Sequence, residues 1–195
     1  MGHLAGKDEI LRQLRKRLDK NPIGLPEHTS IYEILSILFT ENEAEVGAGF
    51  PLGVVTIEEL QKAVGKDKDE LEGILKGMMK KGLVVTNLKD GQTRYLLSAA
   101  FVGFFEFTFM RVRADAPVEQ LAALFHEYMF DDATFANAVF RGSTQIGRSL
   151  VREEALAEDS QVEVLDWELA THIVSEAPSV AVSLCPCRTH AELIG

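Results

Sequence analysis

Apolar positions recur at helical spacing through most of the first hundred residues. Ile10, Leu11, Leu14 and Leu18, with Arg12, Arg15, Lys16 and Arg17 between them, predict an amphipathic basic helix over about Asp8 to Lys20, ended by Asn21-Pro22. From Ser30, the face Ile31, Ile34, Leu35, Leu38 and Phe39 predicts a first core helix. A loop with Gly47, Gly49 and Pro51 is expected next. Thr56, with Glu59 three residues on, forms a capping-box pattern that opens a second helix ending at Gly65. A third helix runs from about Asp67 to Lys81, with Leu71, Ile74, Leu75, Met78 and Met79 inward and Gly82 as its stop. The apolar runs Leu83-Val84-Val85 and Arg94-Tyr95-Leu96-Leu97 flank Lys89-Asp90-Gly91-Gln92, the pattern of a β-hairpin.

Helix, short helix, helix and hairpin is the order of a winged helix-turn-helix. The phrase Met79-Lys80-Lys81-Gly82-Leu83-Val84 resembles the junction between recognition helix and wing in many winged-helix proteins. Such domains also serve as protein-binding modules, so the likeness speaks to fold more than to function. A DNA-reading helix presents Arg, Lys, Asn or Gln in its N-terminal half. Here that half reads Asp67, Lys68, Asp69, Glu70 and Glu72. These carboxylates suit the helix dipole but repel phosphates. Lys76, Lys80, Lys81 and Arg94 are the candidate DNA contacts, and the balance favours a structural or protein-binding module.

The second half is patterned differently. Ala99 to Val112 holds five phenylalanines and predicts a helix buried in the interior or in a dimer interface, with an alternating strand through Phe105, Phe107 and Phe109 as the alternative for part of it. Pro117 opens a helix with Leu121, Leu124, Phe125, Tyr128 and Met129 on one face, and His126 beside it as a half-buried surface histidine. Val162-Glu163-Val164-Leu165 reads as a strand, Asp166 to Val174 as a helix, and Val180-Ala181-Val182-Ser183-Leu184 as a second, buried strand. Strand, helix, strand suggests a small α/β element with ligands just past a strand end. The expected fold class is α+β and mostly helical: an N-terminal amphipathic helix and linker (1–26), a winged helix-turn-helix (27–98), then a helical segment and the small α/β element (99–195).

At 195 residues the chain is long enough for a sizeable core, and its apolar and charged fractions are those of a globular domain. The longest greasy stretch is interrupted by Gly103, Glu106 and Thr108 and falls short of the roughly 20 residues a membrane helix needs. The N-terminal residues lack the apolar core of a signal peptide, so a cytoplasmic location is expected. The formal net charge is −10, with residues 1–26 at +3, 27–98 at −4 and 99–195 at −9. Such a chain repels a polyanion unless a local basic face prevails. No Ser/His/Asp arrangement or phosphate-binding glycine loop is seen, and the paired carboxylates Glu153-Glu154 and Asp131-Asp132 read as solvated acidic pairs, so no catalytic constellation is assigned.

The chemistry of the chain concentrates near its end, in Cys185-Pro186-Cys187-Arg188-Thr189-His190. These are its only two cysteines. Thiols one residue apart close a strained ring if oxidised together, so binding a metal or two cluster atoms is the easier role. Pro186 stiffens the turn, Arg188 balances thiolate charge, and His190 is a candidate third ligand. Zinc takes four ligands and a 4Fe–4S cluster four thiolates, so two thiols make half a site, to be completed by residues beyond Gly195 or by a second subunit.

The opening Met1-Gly2-His3-Leu4-Ala5-Gly6-Lys7-Asp8, the stretch Val162-Glu163-Val164-Leu165-Asp166-Trp167-Glu168 and the Cys185-Pro186-Cys187-Arg188 segment resemble a group of bacterial ferredoxin-type 4Fe–4S proteins with an N-terminal winged-helix region. In that group a Cys-x-Cys-Arg segment precedes further cysteines. The resemblance implies an N-terminal scaffold or docking module of an iron–sulfur electron-transfer protein, with Cys185 and Cys187 opening the cluster site and the 4Fe–4S cluster held by a longer form rather than by this chain alone. A redox partner protein or C-terminal ferredoxin region and a homodimer are the expected partners, and no membrane is. The alternative is a winged-helix transcription regulator with metal- or redox-sensing thiols.

Overall fold

A computed structural model describes residues 2–140 and 167–195, with side chains from residue 7. Its class is α+β and mostly helical, with a two-stranded antiparallel sheet among the described residues. Helix α1 (Gly2–Leu18) buries Leu11, Leu14 and Leu18 and is followed by α2 (Thr29–Leu38) and α3 (Glu41–Gly49). Next come α4 (Ile57–Val64) and α5 (Lys68–Lys81), then the hairpin β1 (Val84–Lys89) and β2 (Gln92–Leu97). A π-helical turn at Ala100–Phe104 leads into α6 (Phe105–Phe109), α7 (Val118–Phe130) and α8 (Thr134–Phe140). Helices α9 (Trp167–Glu176) and α10 (Pro186–Ile194) follow.

Local chemistry explains most of these boundaries. The Thr56 hydroxyl accepts from the Glu59 amide while the Glu59 carboxylate accepts from the Thr56 amide, the expected capping box of α4. Gly82, at φ 77°, takes the left-handed conformation that ends α5, and its amide donates back to Met78 and Met79 carbonyls. The hairpin turns on Asp90 and Gly91, both at positive φ, as a primed turn requires. Register pairs Val84 with Leu97 and Lys89 with Gln92, and an isolated antiparallel bridge joins Val55 to Tyr95 beside β2.

Three expectations are corrected. The segment around Gly47 is helical, because Thr40 and Glu43 build a second reciprocal capping box that opens α3. Gly47 serves packing there: a Cβ on it would lie 2.7 Å from Leu14 Cδ1 of α1. The Phe-rich stretch is not one helix. Phe101, Val102 and Gly103 leave helical dihedrals, and Val102 sits at φ 52°, ψ 53°. This break lets Phe101, Phe104, Phe105 and Phe109 all enter this chain's own core, with Phe101 and Phe105 packed on Phe125 of α7. Finally, Val180 to Leu184 is irregular chain rather than a buried strand. Val180 and Val182 are 67 % and 99 % exposed, and Leu184 is tied by its amide to the Met110 carbonyl at 2.8 Å. The strand expected at Val162 to Leu165 lies outside the described residues, so no strand–helix–strand unit is assembled from those described.

The core is continuous from α1 to α8, with α2 packed along α7 and α10 lying against α6 and α7. Tyr128 of α7 is buried and donates its hydroxyl to the Pro26 carbonyl at 2.9 Å. Helix α9 has no buried residue, and Trp167 is 81 % exposed.

Candidate thiol site at the start of the last helix

Cys185 is the N-cap of α10, at φ −75° and ψ 115°, and its carbonyl accepts the first helical hydrogen bond from Thr189 at 2.9 Å. Pro186 occupies the first helical position, where its missing N–H costs nothing and its fixed φ favours helix. Cys187 follows in the same turn. Both thiols are free and exposed, at the helix end where the first amides point outward. Arg188 is exposed beside them and, among the described residues, pairs with no carboxylate.

His190 lies one turn further along α10. It is buried, and its Nε2 lies 3.1 Å from the Ala122 carbonyl oxygen of α7. Its ring stands edge-on to Phe105 and Phe109, with centroids 5.6 Å and 5.4 Å away, and lies parallel to His126 at 6.1 Å. Burial holds its pKa below the ordinary histidine value, the Ala122 hydrogen bond opposes that shift, and a charge on His126 adds to it. The neutral ring with its proton on Nε2 fits this setting, donating to the carbonyl.

Cys185, Cys187 and His190 are not brought together. Among the described residues, the one trio of metal-binding groups with converging ligand atoms is His28, Glu127 and Asp131. There the His28 ring caps α2 through Ser30, and its Nε2 lies 3.9 Å from an exposed Asp131 carboxylate. The thiol pair by its donor chemistry matches half of a tetrathiolate set.

The residues singled out for DNA separate as well. Lys76 and Lys80 are exposed on α5. Lys81 instead turns inward, its ammonium 2.6 Å from Glu43 and 3.1 Å from the Leu38 carbonyl. Arg94 is half-buried on β2, with its Nε lacking a partner among the described residues. The acidic first turn of α5 is bound into local pairs: Lys66 meets Glu70 at 2.7 Å and Glu45 at 3.5 Å.

No family model, curated protein or solved structure matches this chain. The site therefore rests on its own geometry. The irregular segment before the cysteines runs beside the end of α5: Val182 and Ser183 join Met79, Gly82, Phe107 and Met110 around an open cleft of about 280 Å³. The buried role of His190 was the feature hardest to see in the sequence. One polar residue among Arg188, Thr189 and Glu192 gives no periodic apolar signal, and only Leu193, three residues on, hints at an inner face.

Proposed function

We propose that this chain is the N-terminal scaffold and docking module of an iron–sulfur electron-transfer protein of the 4Fe–4S ferredoxin type. The observation that carries this reading is the pair of free, exposed thiols one residue apart, held at the N-terminus of a helix that packs on α6 and α7. Two thiolates in one rigid turn can ligate a cluster from one side. The remaining ligands come from a C-terminal ferredoxin region or a partner chain.

The segment from α2 to β2 is read as a winged helix. Its support is the order of α2, α4, α5 and hairpin, with the Val55–Tyr95 bridge adding a third short strand position beside β2. Extra helix α3 sits between the first and second of these helices. A protein-docking role suits it better than DNA reading, because carboxylates dominate the start of α5 and Lys81 is committed to Glu43.

The test is anaerobic reconstitution with iron and sulfide, in the chain alone and in a form extended past Gly195. The parent is expected to hold iron and show cluster absorption in the extended form, and the Cys185→Ser/Cys187→Ser variant to hold markedly less. Equal iron in parent and variant, or none in either, sinks the reading. The exposed Lys76 and Lys80 keep a DNA-binding regulator as the second reading. It requires salt-dependent retardation of duplex DNA that weakens in Lys76→Gln/Lys80→Gln.

A further inference from the structure

We propose that His190 is the positioning residue of the thiol pair: as a neutral imidazole it docks α10 on α6 and α7, and protonating it releases that helix and the thiols with it. This rests on reading Cys185 and Cys187 as the functional thiols. It gives His190 a part in the site without making it a ligand.

His190 is the most deeply seated part of the attachment of α10, which Leu193 and the Leu184 amide, bonded to the Met110 carbonyl at 2.8 Å, complete. His190 is the one buried residue of this nine-residue helix, with Leu193 partly buried beside it. The chain ahead of α10 is exposed through Val180 and Val182, and α9 buries nothing. The ring is seated between the Phe105 and Phe109 rings and the Ala122 carbonyl. Ala122 lies inside α7, so its oxygen also serves its own helix, and His190 uses the second lone pair. Cys187 stands three residues before His190 and Cys185 five, so fixing the ring fixes the turn that presents both thiols.

The surroundings disfavour a charged ring. From α6, His190 meets the uncharged rings of Phe105 and Phe109. From α7 it meets the Ala122 carbonyl and the His126 ring. On α10 the charged neighbours Arg188 and Glu192 are exposed. Among the described residues, no carboxylate lies within ion-pair distance of His190 to compensate an imidazolium. A desolvated cation without a counter-ion is expelled to water, and here that means undocking α10.

The experiment uses the full 195-residue chain without metal, carrying Cys185→Ser and a nitroxide spin label on Cys187. Label mobility reports docking of α10, and far-UV circular dichroism reports the remaining helices. At pH 8 the spectrum is expected to be immobilised. As pH falls below 6.5, the ordinary histidine value, a mobile component should grow, with the docked-to-released ratio falling by up to about tenfold per pH unit. His190→Ala should be mobile already at pH 8 with the other helices retained. His190→Gln, whose amide donates to Ala122 without titrating, should stay docked and lose the pH response. An immobile His190→Ala label at pH 8, no transition in the parent, or a transition persisting in His190→Gln overturns the proposal. Because no iron is present, these outcomes are separate from those of the reconstitution: a docked, pH-responsive α10 with no iron binding would sink the cluster reading alone.

Discussion

Lys81, at the end of α5, places its ammonium 2.6 Å from the Glu43 carboxylate of α3. The same lysine donates to the Leu38 carbonyl at 3.1 Å, and the same carboxylate accepts from the Thr40 amide. One pair thereby clamps the C-terminus of α2, the N-terminus of α3 and the last turn of α5. The Glu43 side chain is 7 % exposed, so removing its partner leaves a buried charge. Lys81→Met is expected to lower stability by about 2 kcal/mol, read from urea midpoints, while Glu43→Gln/Lys81→Met recovers part of the loss. A surface pair would be weakened by salt; this one should lose little at 0.5 M NaCl.

Two glycines with the same backbone conformation should respond differently to alanine. Gly82 and Gly65 sit at φ 77° and 69°. A Cβ at Gly65 meets nothing within 4 Å, whereas at Gly82 it falls 2.6 Å from Phe107 Cβ. Gly65→Ala should cost about 1 kcal/mol, the left-handed penalty alone. Gly82→Ala should cost about 3 kcal/mol, because overlap with Phe107 is added. Thermal or urea unfolding of the two variants checks the difference.

Val102 is the reverse case. Its β-branched side chain is 78 % exposed, yet its backbone is left-handed at φ 52°. Nothing packed is lost by removing the side chain. Val102→Gly should therefore stabilise the fold by about 1 kcal/mol, the strain relieved exceeding the added freedom of the unfolded chain. A lower urea midpoint in the variant would contradict this.

Acid stability has an identifiable contributor in the Arg113–Asp115 pair. Arg113 donates from Nε and an Nη to the two carboxylate oxygens, at 3.0 Å and 2.8 Å. Its hydrogen bonds and charge pull the Asp115 pKa down from 3.8 to about 2. The unfolded chain then binds more protons than the folded one between those values, so stability rises with pH across that window. The contribution is complete above pH 3.8 and disappears as pH falls through about 2. Asp115→Asn should flatten this part of the pH–stability curve. Its cost at neutral pH should stay below about 1 kcal/mol, since the carboxylate is half-exposed and screened.

Where periodicity and capping acted together, the sequence was readable. The face of α2, the caps of α4, the ends of α5 and the hairpin at Asp90-Gly91 follow from local rules that the tertiary structure does not override, whereas Met79, expected inward on α5, is exposed. Helix α3 was missed although Thr40 and Glu43 carry the same signature as Thr56 and Glu59, because Gly47 and Gly49 suggested a loop. Those glycines answer to α1 and Val64 pressing close, a tertiary demand invisible along the chain. The apolar run at Val180 to Leu184 failed for the opposite reason: apolar composition shows capacity for burial, not the presence of a neighbour to supply it. Of the thiol site, the two cysteines were visible as residue types. The anchoring of their helix by His190 was not, since it depends on a carbonyl 68 residues away.

The exposure of Trp167 decides what fluorescence can report about this protein. It is the single tryptophan and stands on α9, a helix that buries no side chain. Its emission in a denaturation series will follow the local state of α9 and can stay level while the centre of the molecule opens. Tyr128, enclosed near Pro26 and Phe101, is the chromophore placed to register that event. Near-ultraviolet circular dichroism and tryptophan emission should accordingly give different transition curves, a disagreement between probes that follows from where two side chains sit and implies no folding intermediate.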